Sequence, residues 1–230
     1  MHTPELPDTV ADHLAEPVTI SAGTVSLPGI LTLPPHPGGV VVFAHGSGSS
    51  RLSARNRLVA DTLVRANFGA LLFDLLSVAE AQDRANVFDI PLLADRLEVA
   101  TQWLAGRPAI SGLPLGYFGA STGAAAALVA AAGRQTTVHA IVSRGGRPDL
   151  AGELLVRVRV PTLLIVGGAD SEVLALNRAA LARLGGIKRL VVVPRATHLF
   201  EEPGALVKVA ELASLWFRLH LGEAPAAQSA

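Results

Sequence analysis

Short apolar runs alternate with segments of helical periodicity along most of the chain. The runs at 40–44, 70–74, 115–118, 138–143, 163–166 and 190–193 are mostly continuous rather than alternating, which is the mark of strands buried on both faces. Two more strands, at 17–20 and 24–32, are joined by Ser-Ala-Gly. Between the runs lie helical patterns. One covers 53–66, with Leu58, Val59, Leu63 and Ala66 on one face. A second begins at Asp89 as N-cap with Pro91 in its first turn, carries the stripe Leu93, Leu97, Ala100 and Leu104, and ends near Gly106. Further helices are predicted at 122–132, at 149–156 (a short one), at 172–184 closed by Gly185, and at 203–219. Strand and helix in strict alternation predict an α/β fold, a mainly parallel sheet with helices on both faces. No internal repeat or long linker divides it, so a single domain is expected over 17–221, between a polar lead-in at 1–16 and a small-residue tail at 222–230. The longest irregular stretch, 75–88, is too short for a large cap domain but long enough to edge a pocket. In such sheets ligands bind at the carboxyl ends of the strands.

Composition narrows the function. The chain has 230 residues, 50% hydrophobic and 17% charged, which supports a sizeable core and argues against disorder. A formal net charge of +0 supplies no global field for nucleic acid or an anionic membrane, and 4% aromatics leave few platforms for stacking bases. Neither nucleic acid nor membrane is expected as a partner. The stretch 108–133 carries no charge and resembles a membrane span by hydropathy alone, but Pro114, Gly112, Gly116, Gly119 and Gly123 interrupt it. A buried strand, a tight turn and a buried helix account for it better. The N-terminal residues show no basic and apolar signal pattern, so a cytoplasmic location is expected. With no cysteine there is no disulfide, no thiolate-held metal and no thiol nucleophile.

The uncharged stretch holds Gly119-Ala120-Ser121-Thr122-Gly123, a G-x-S-x-G pattern. The bare pattern is weak in a glycine-rich chain. Its place between an apolar strand and an Ala-rich helix is what a nucleophile elbow requires, because strand and helix approach closely only if the flanking residues are tiny. Ser121 would then stand at a helix N-terminus, which favours developing negative charge. A hydroxyl nucleophile needs a base, and the base an orienting acid, in the chain order Ser, acid, His. Of the histidines after Ser121, His139 opens a strand and His220 lies on the terminal helix. His198 follows the last strand and is the candidate base; Asp170, after the strand at 162–166, is the candidate acid. Its rivals are Asp149, which reads as a helix cap, and Glu172, while Glu201 and Glu202 read as the start of the final helix. For an oxyanion hole the backbone N–H groups of Thr122 and of Ser47, in the loop His45-Gly46-Ser47-Gly48-Ser49-Ser50, are the candidates. His45 reads as a loop-orienting residue. Gly46-x-Gly48 lacks the third glycine of a dinucleotide fingerprint, since Arg51 stands there, and no histidine spacing suits a metal.

With these residues placed, the chain resembles the α/β-hydrolase superfamily, in the small lidless branch grouped with dienelactone hydrolase. The resemblance runs over 18–221 and rests on His45-Gly46, the elbow, Asp170 and His198. It is also similar to hydrolase-like domains found beside or fused to phosphoribosyltransferases, in the Ser47-Gly48-Ser49-Ser50-Arg51 loop and in Asn86-Val87-Phe88-Asp89-Ile90. It implies a serine esterase that hydrolyses a small acyl substrate through an acyl-serine, without cofactor or metal. Two departures separate it from dienelactone hydrolase itself: Ser121 stands where that enzyme has cysteine, and His45-Gly46-Ser47 lacks its oxyanion-loop glutamate. Arg51, Arg55, Arg57, Arg144 and Arg147 follow strand ends. Arg51, Arg144 and Arg147 are either substrate-binding groups that favour an anionic acyl substrate or part of a solvated, arginine-biased surface. An acyltransferase, or a non-catalytic binding or regulatory module of the same fold, is the alternative function; monomer and homodimer are both compatible with the sequence.

Overall fold

A computed structural model describes residues 14–133 and 137–222. Eight strands form one sheet in the order β1-β2-β4-β3-β5-β6-β7-β8. They are β1 (Leu14–Ala22), β2 (Val25–Leu33), β3 (Val40–Ala44), β4 (Gly69–Phe73), β5 (Leu115–Ala120), β6 (Val138–Arg144), β7 (Thr162–Gly167) and β8 (Lys188–Val193). β1 and β2 form an antiparallel hairpin, β2 pairs antiparallel with β4, and β3 to β8 are parallel. The predicted lead-in is shorter than expected, because Leu14 to Glu16 already pair with Leu33 to Leu31. Of the predicted lead-in and tail, residues 1–13 and 223–230 lie outside the described residues.

The continuous apolar runs become central strands: every residue of β3, β4, β5 and β7 is buried. The helices are α1 (Ala54–Arg65), α2 (Arg84–Val87), α3 (Ile90–Ala105), α4 (Thr122–Ala131), α5 (Ser171–Arg183) and α6 (Ala205–Leu221). α1 and α6 cover one face, packing Val59, Leu63, Val209, Ala213 and Phe217 onto Val41, Phe43, Phe118 and Val142. α3, α4 and α5 cover the other. Ser53 and Asp89 cap α1 and α3, accepting from the N–H groups of Asn56 and Leu92. The uncharged stretch is β5 followed by α4, a helix with nine of its ten residues buried, and no helix among the described residues is long and apolar enough to cross a membrane.

Two elements differ from the sequence pattern. The short helix at 149–156 is instead a 3-10 segment, Pro148–Arg157, broken at Gly152 (φ 54°). Asp149 caps nothing there; its carboxylate holds the Arg147 guanidinium at 2.9 and 2.7 Å. The stretch 75–88 contains a 3-10 turn at Glu80–Gln82 and the short helix α2. Among the described residues no cap domain covers the carboxyl end of the sheet. From β3 the chain moves outward through α1 to β4, then returns to place β5 on β3's other side. The carboxyl ends of β3 and β5 are therefore the switch point, where an open parallel sheet leaves a crevice.

Candidate active site

The elbow forms where β5 ends and α4 begins. Ser121 has φ 50° and ψ −120°, a conformation that L residues rarely adopt and that costs about 1–3 kcal/mol. Its backbone is held on both sides: its N–H donates to Arg144 O at 3.3 Å, and its carbonyl accepts from Ala124 and Arg147 N–H, each at 3.1 Å. The small residues are required by contact. A Cβ on Gly119 would lie 2.5 Å from Ala124 Cα, and one on Gly123 would collide with the carbonyl oxygens of Ala44 and His45. Among the described residues the Ser121 hydroxyl has no hydrogen-bond partner.

Asp170 and His198 meet over the ends of β7 and β8. Asp170 sits at the N-cap of α5 without capping it, so its carboxylate is available elsewhere. His198 Nδ1 donates to Asp170 Oδ2 at 2.7 Å, which leaves Nε2 as the proton acceptor. The His198 loop is built with strain, Arg195 at φ 61° and Phe200 at φ 56°, and Phe200 is buried in the α1/α6 core. Glu202 clamps the loop, accepting from Thr197 N–H at 3.0 Å and from its hydroxyl at 2.6 Å. The Thr197 hydroxyl bond holds the Glu202 carboxyl below the usual range. Glu202 thus serves the loop rather than opening the last helix, which starts only at Ala205, after Gly204. The turn after β6 joins the two halves: Arg144 and Arg147 bond the Ser121 backbone, while a Cβ on Gly145 would lie 3.6 Å from His198 Cε1.

The loop after β3 lies against the elbow, with a Cβ on Gly46 only 3.0 Å from Ser121 Cβ. Ser49 N–H donates to Gly46 O at 3.2 Å across a turn whose third residue, Gly48, has φ 67°. Ser47 N–H donates to Thr122 Oγ1 at 3.0 Å, so it is engaged rather than free. Thr122 N–H, in the first turn of α4, has no intrahelical acceptor. His45 ties the loop down: Nδ1 donates to Gly46 O at 3.0 Å and Nε2 accepts from Leu75 N–H at 3.1 Å, an arrangement only the neutral ring makes. Burial pushes its pKa down, against smaller raising effects of the Gly46 bond and Asp74. Asp74, unnoticed in the sequence although it ends a strand as Asp170 does, accepts from Arg51 N–H at 2.6 Å and pairs with the Arg51 guanidinium. Beside this loop is a cavity of about 350 Å³, lined by Leu75, Leu76, Val87 and Leu93 together with Ser47 and Thr122.

The three arginines separate. Arg51 is paired with Asp74 and Arg147 with Asp149. Arg144 is buried, and among the described residues it pairs with no carboxylate. No group of three His, Asp or Glu among the described residues is placed to hold a metal.

No family model matches the chain. A crystal structure of a dienelactone hydrolase from Anabaena variabilis ATCC 29413 has a TM-score of 0.87 to it at 55% identity, covering 91% of this chain and 99% of that one. The chain belongs to the dienelactone hydrolase-like α/β-hydrolases. Less similar solved structures share the fold: a dienelactone hydrolase-like promiscuous phosphotriesterase from metagenomic libraries (TM-score 0.73, 21% identity, 91% of this chain and 99% of that one) and Est1E from Butyrivibrio proteoclasticus (TM-score 0.75, 13% identity, 87% and 97%). This α/β-hydrolase is also 61% identical over 206 residues, 90% of its length, to proteins of two Mycobacterium tuberculosis strains named provisionally as phosphoribosyl transferases. The chain spans about half, 46%, of the length of those curated relatives.

Proposed function

We propose that the protein is a serine hydrolase that cleaves small carboxylic esters through an acyl-serine. The observation that carries this reading is the 2.7 Å bond from His198 Nδ1 to Asp170, together with a strained elbow serine held by the same β6 turn in which a Cβ on Gly145 would lie 3.6 Å from the His198 ring. In this reading Ser121 Oγ attacks the ester carbonyl carbon while its proton passes to His198 Nε2. Asp170 orients the ring and stabilises the imidazolium. The carbonyl oxygen, now negative, is met by Thr122 N–H and by Ser47 N–H, which exchanges Thr122 Oγ1 for the stronger acceptor. His198 gives the proton to the departing alcohol oxygen as the acyl–oxygen bond breaks. Water then repeats the sequence on the acyl-serine, returning Ser121 and the acid. No cofactor enters, and an alcohol replacing that water would make the same site an acyltransferase.

Hydrolysis of 4-nitrophenyl butyrate by wild type and by Ser121→Ala, His198→Gln and Asp170→Asn tests this reading. Loss of kcat by about a thousandfold or more is expected for each variant, without additivity in the double variants, because the groups act as a unit. Undiminished turnover in Ser121→Ala would overturn it. The names of the curated relatives favour one other reading, a non-catalytic module serving a transferase; it predicts that wild type and Ser121→Ala are equally inert.

A further inference from the structure

α5 carries Asp170 at its head, and its buried residues are Val173, Asn177 and Ala180, which with Asp170 make one stripe along the helix. Asn177 is wholly buried and is the polar member of those three. A buried amide is costly unless its hydrogens find acceptors. Both do: Nδ2 donates to Val173 O, four residues back, at 2.8 Å, and to Gly146 O, in the turn after β6, at 2.9 Å. With carbonyl oxygens as both partners, only the nitrogen can face them, so the amide has one orientation. Its Oδ1 is buried with no partner among the described residues. Packing alone therefore does not account for an amide at this position; the bond to the turn does.

The Gly146 carbonyl belongs to the same planar peptide as the Arg147 N–H, and in a trans unit the two point opposite ways. That N–H donates to the Ser121 carbonyl at 3.1 Å. One chain of bonds thus runs from Asn177 Nδ2 through the 146–147 peptide to the backbone of the elbow serine, which is strained at φ 50°. The turn does not hold that peptide by itself. It contains Gly145 at φ 51° and Gly146, where a Cβ would collide with Ser143 Oγ, and two glycines leave a peptide free to rotate unless something fastens it. Seven residues before Asn177, at the head of the same helix, Asp170 holds His198 Nδ1. We infer that Asn177 is a positioning residue for the reaction: it fastens the Ser121 elbow to the helix that carries Asp170, and so sets Ser121 relative to the Asp170–His198 pair. This rests on the serine hydrolase reading, and Asn177 acts in it through the backbone alone.

The test is hydrolysis of 4-nitrophenyl butyrate by Asn177→Leu, which keeps the bulk of the side chain and removes both donors. Its matched control is Leu184→Ala, which empties part of the core at the far end of α5 and leaves the bond alone. Both should lower Tm, and both are assayed well below it. In Asn177→Leu kcat should fall about ten- to a hundredfold with KM within about threefold, because a displaced nucleophile binds substrate as before and meets it in the wrong place. Leu184→Ala should keep kcat within about twofold. A kcat in Asn177→Leu no lower than in Leu184→Ala, or a loss confined to KM, would overturn the assignment. Asn177→Thr separates the two bonds: a threonine hydroxyl on a helix bonds four residues back, as Thr62 and Thr101 do to Leu58 O and Leu97 O, so the Val173 bond is kept and the Gly146 bond lost. It should lose kcat as Asn177→Leu does, and it decides by the same comparison should Asn177→Leu not fold; full activity would overturn the assignment. Hydrogen exchange needs no turnover. Relative to the amides of β5, the Arg147 N–H should exchange at least about tenfold faster in Asn177→Leu than in Leu184→Ala, and equal exchange overturns the fastening. A wild type without turnover that still shows this difference contradicts the hydrolase reading and leaves the fastening standing.

Discussion

Gly123→Ala probes the elbow where the structure leaves least room. The new Cβ would lie 2.5 Å from the His45 carbonyl oxygen and closer still to that of Ala44. An ordinary carbon–oxygen contact is about 3.3 Å or more, so the overlap approaches 1 Å. Both opposing atoms are backbone, and β3 cannot withdraw: Phe43 is paired with Leu72 on one side and Ala44 with Gly119 on the other. Overfilling a packed interior costs about 1–3 kcal/mol when side chains can adjust, and here about 3 kcal/mol or more is expected because they cannot. At about 2–4 °C per kcal/mol in a domain of this size, Tm should drop by about 6–12 °C. Esterase activity should fall too, since the displaced strand end carries the Ser47 loop. Gly106→Ala is the matched control: its Cβ would meet nothing nearer than 3.6 Å and its φ is −78°, so stability should hold or rise by about 0.5 kcal/mol. Thermal unfolding followed by circular dichroism reads both. A Gly123→Ala protein within about 1 kcal/mol of wild type would refute the close approach of β3 and α4.

Two further predictions concern buried polar groups. Thr101 gives its only proton to Leu97 O at 2.8 Å, so the Tyr117 hydroxyl donates to Thr101 Oγ1 at 2.7 Å; Thr101→Val strands that hydroxyl and should cost about 1–3 kcal/mol in urea unfolding, with Tyr117→Phe costing less. His45 has its pKa lowered by burial from 6.5, so its contribution to stability is complete above that value and is lost as pH falls through the folded one; His45→Gln should flatten this part of the stability profile between neutral and mildly acid pH, and an unchanged slope would contradict the neutral-ring arrangement.

Much of this was legible in the residues. Continuous apolar runs gave away β3, β5 and β7, and Asp89 and Pro91 marked the start of α3, because these signals are local. The elbow was legible because sterics leave small residues little choice beside Ser121, and Asp170 and His198 followed from chain order and strand ends. Contacts between distant residues were not legible. Asp74 and Asp149 each hold one arginine, which turned two of three rim candidates into structural pairs, and nothing near Arg144 in sequence announced that it would be buried. Glu202 looked like a helix start because acidic residues favour one; its partner, Thr197, lies five residues back, across a turn whose positive-φ Phe200 no pattern reveals.

The central claim is that Ser121 is an activated nucleophile. Treating the protein with a fluorophosphonate and mapping the adduct by peptide mass spectrometry tests it directly. The account predicts one stoichiometric adduct on Ser121, absent in Ser121→Ala and slowed in Asp170→Asn. No adduct in the folded wild type, or one that survives Ser121→Ala, would contradict it.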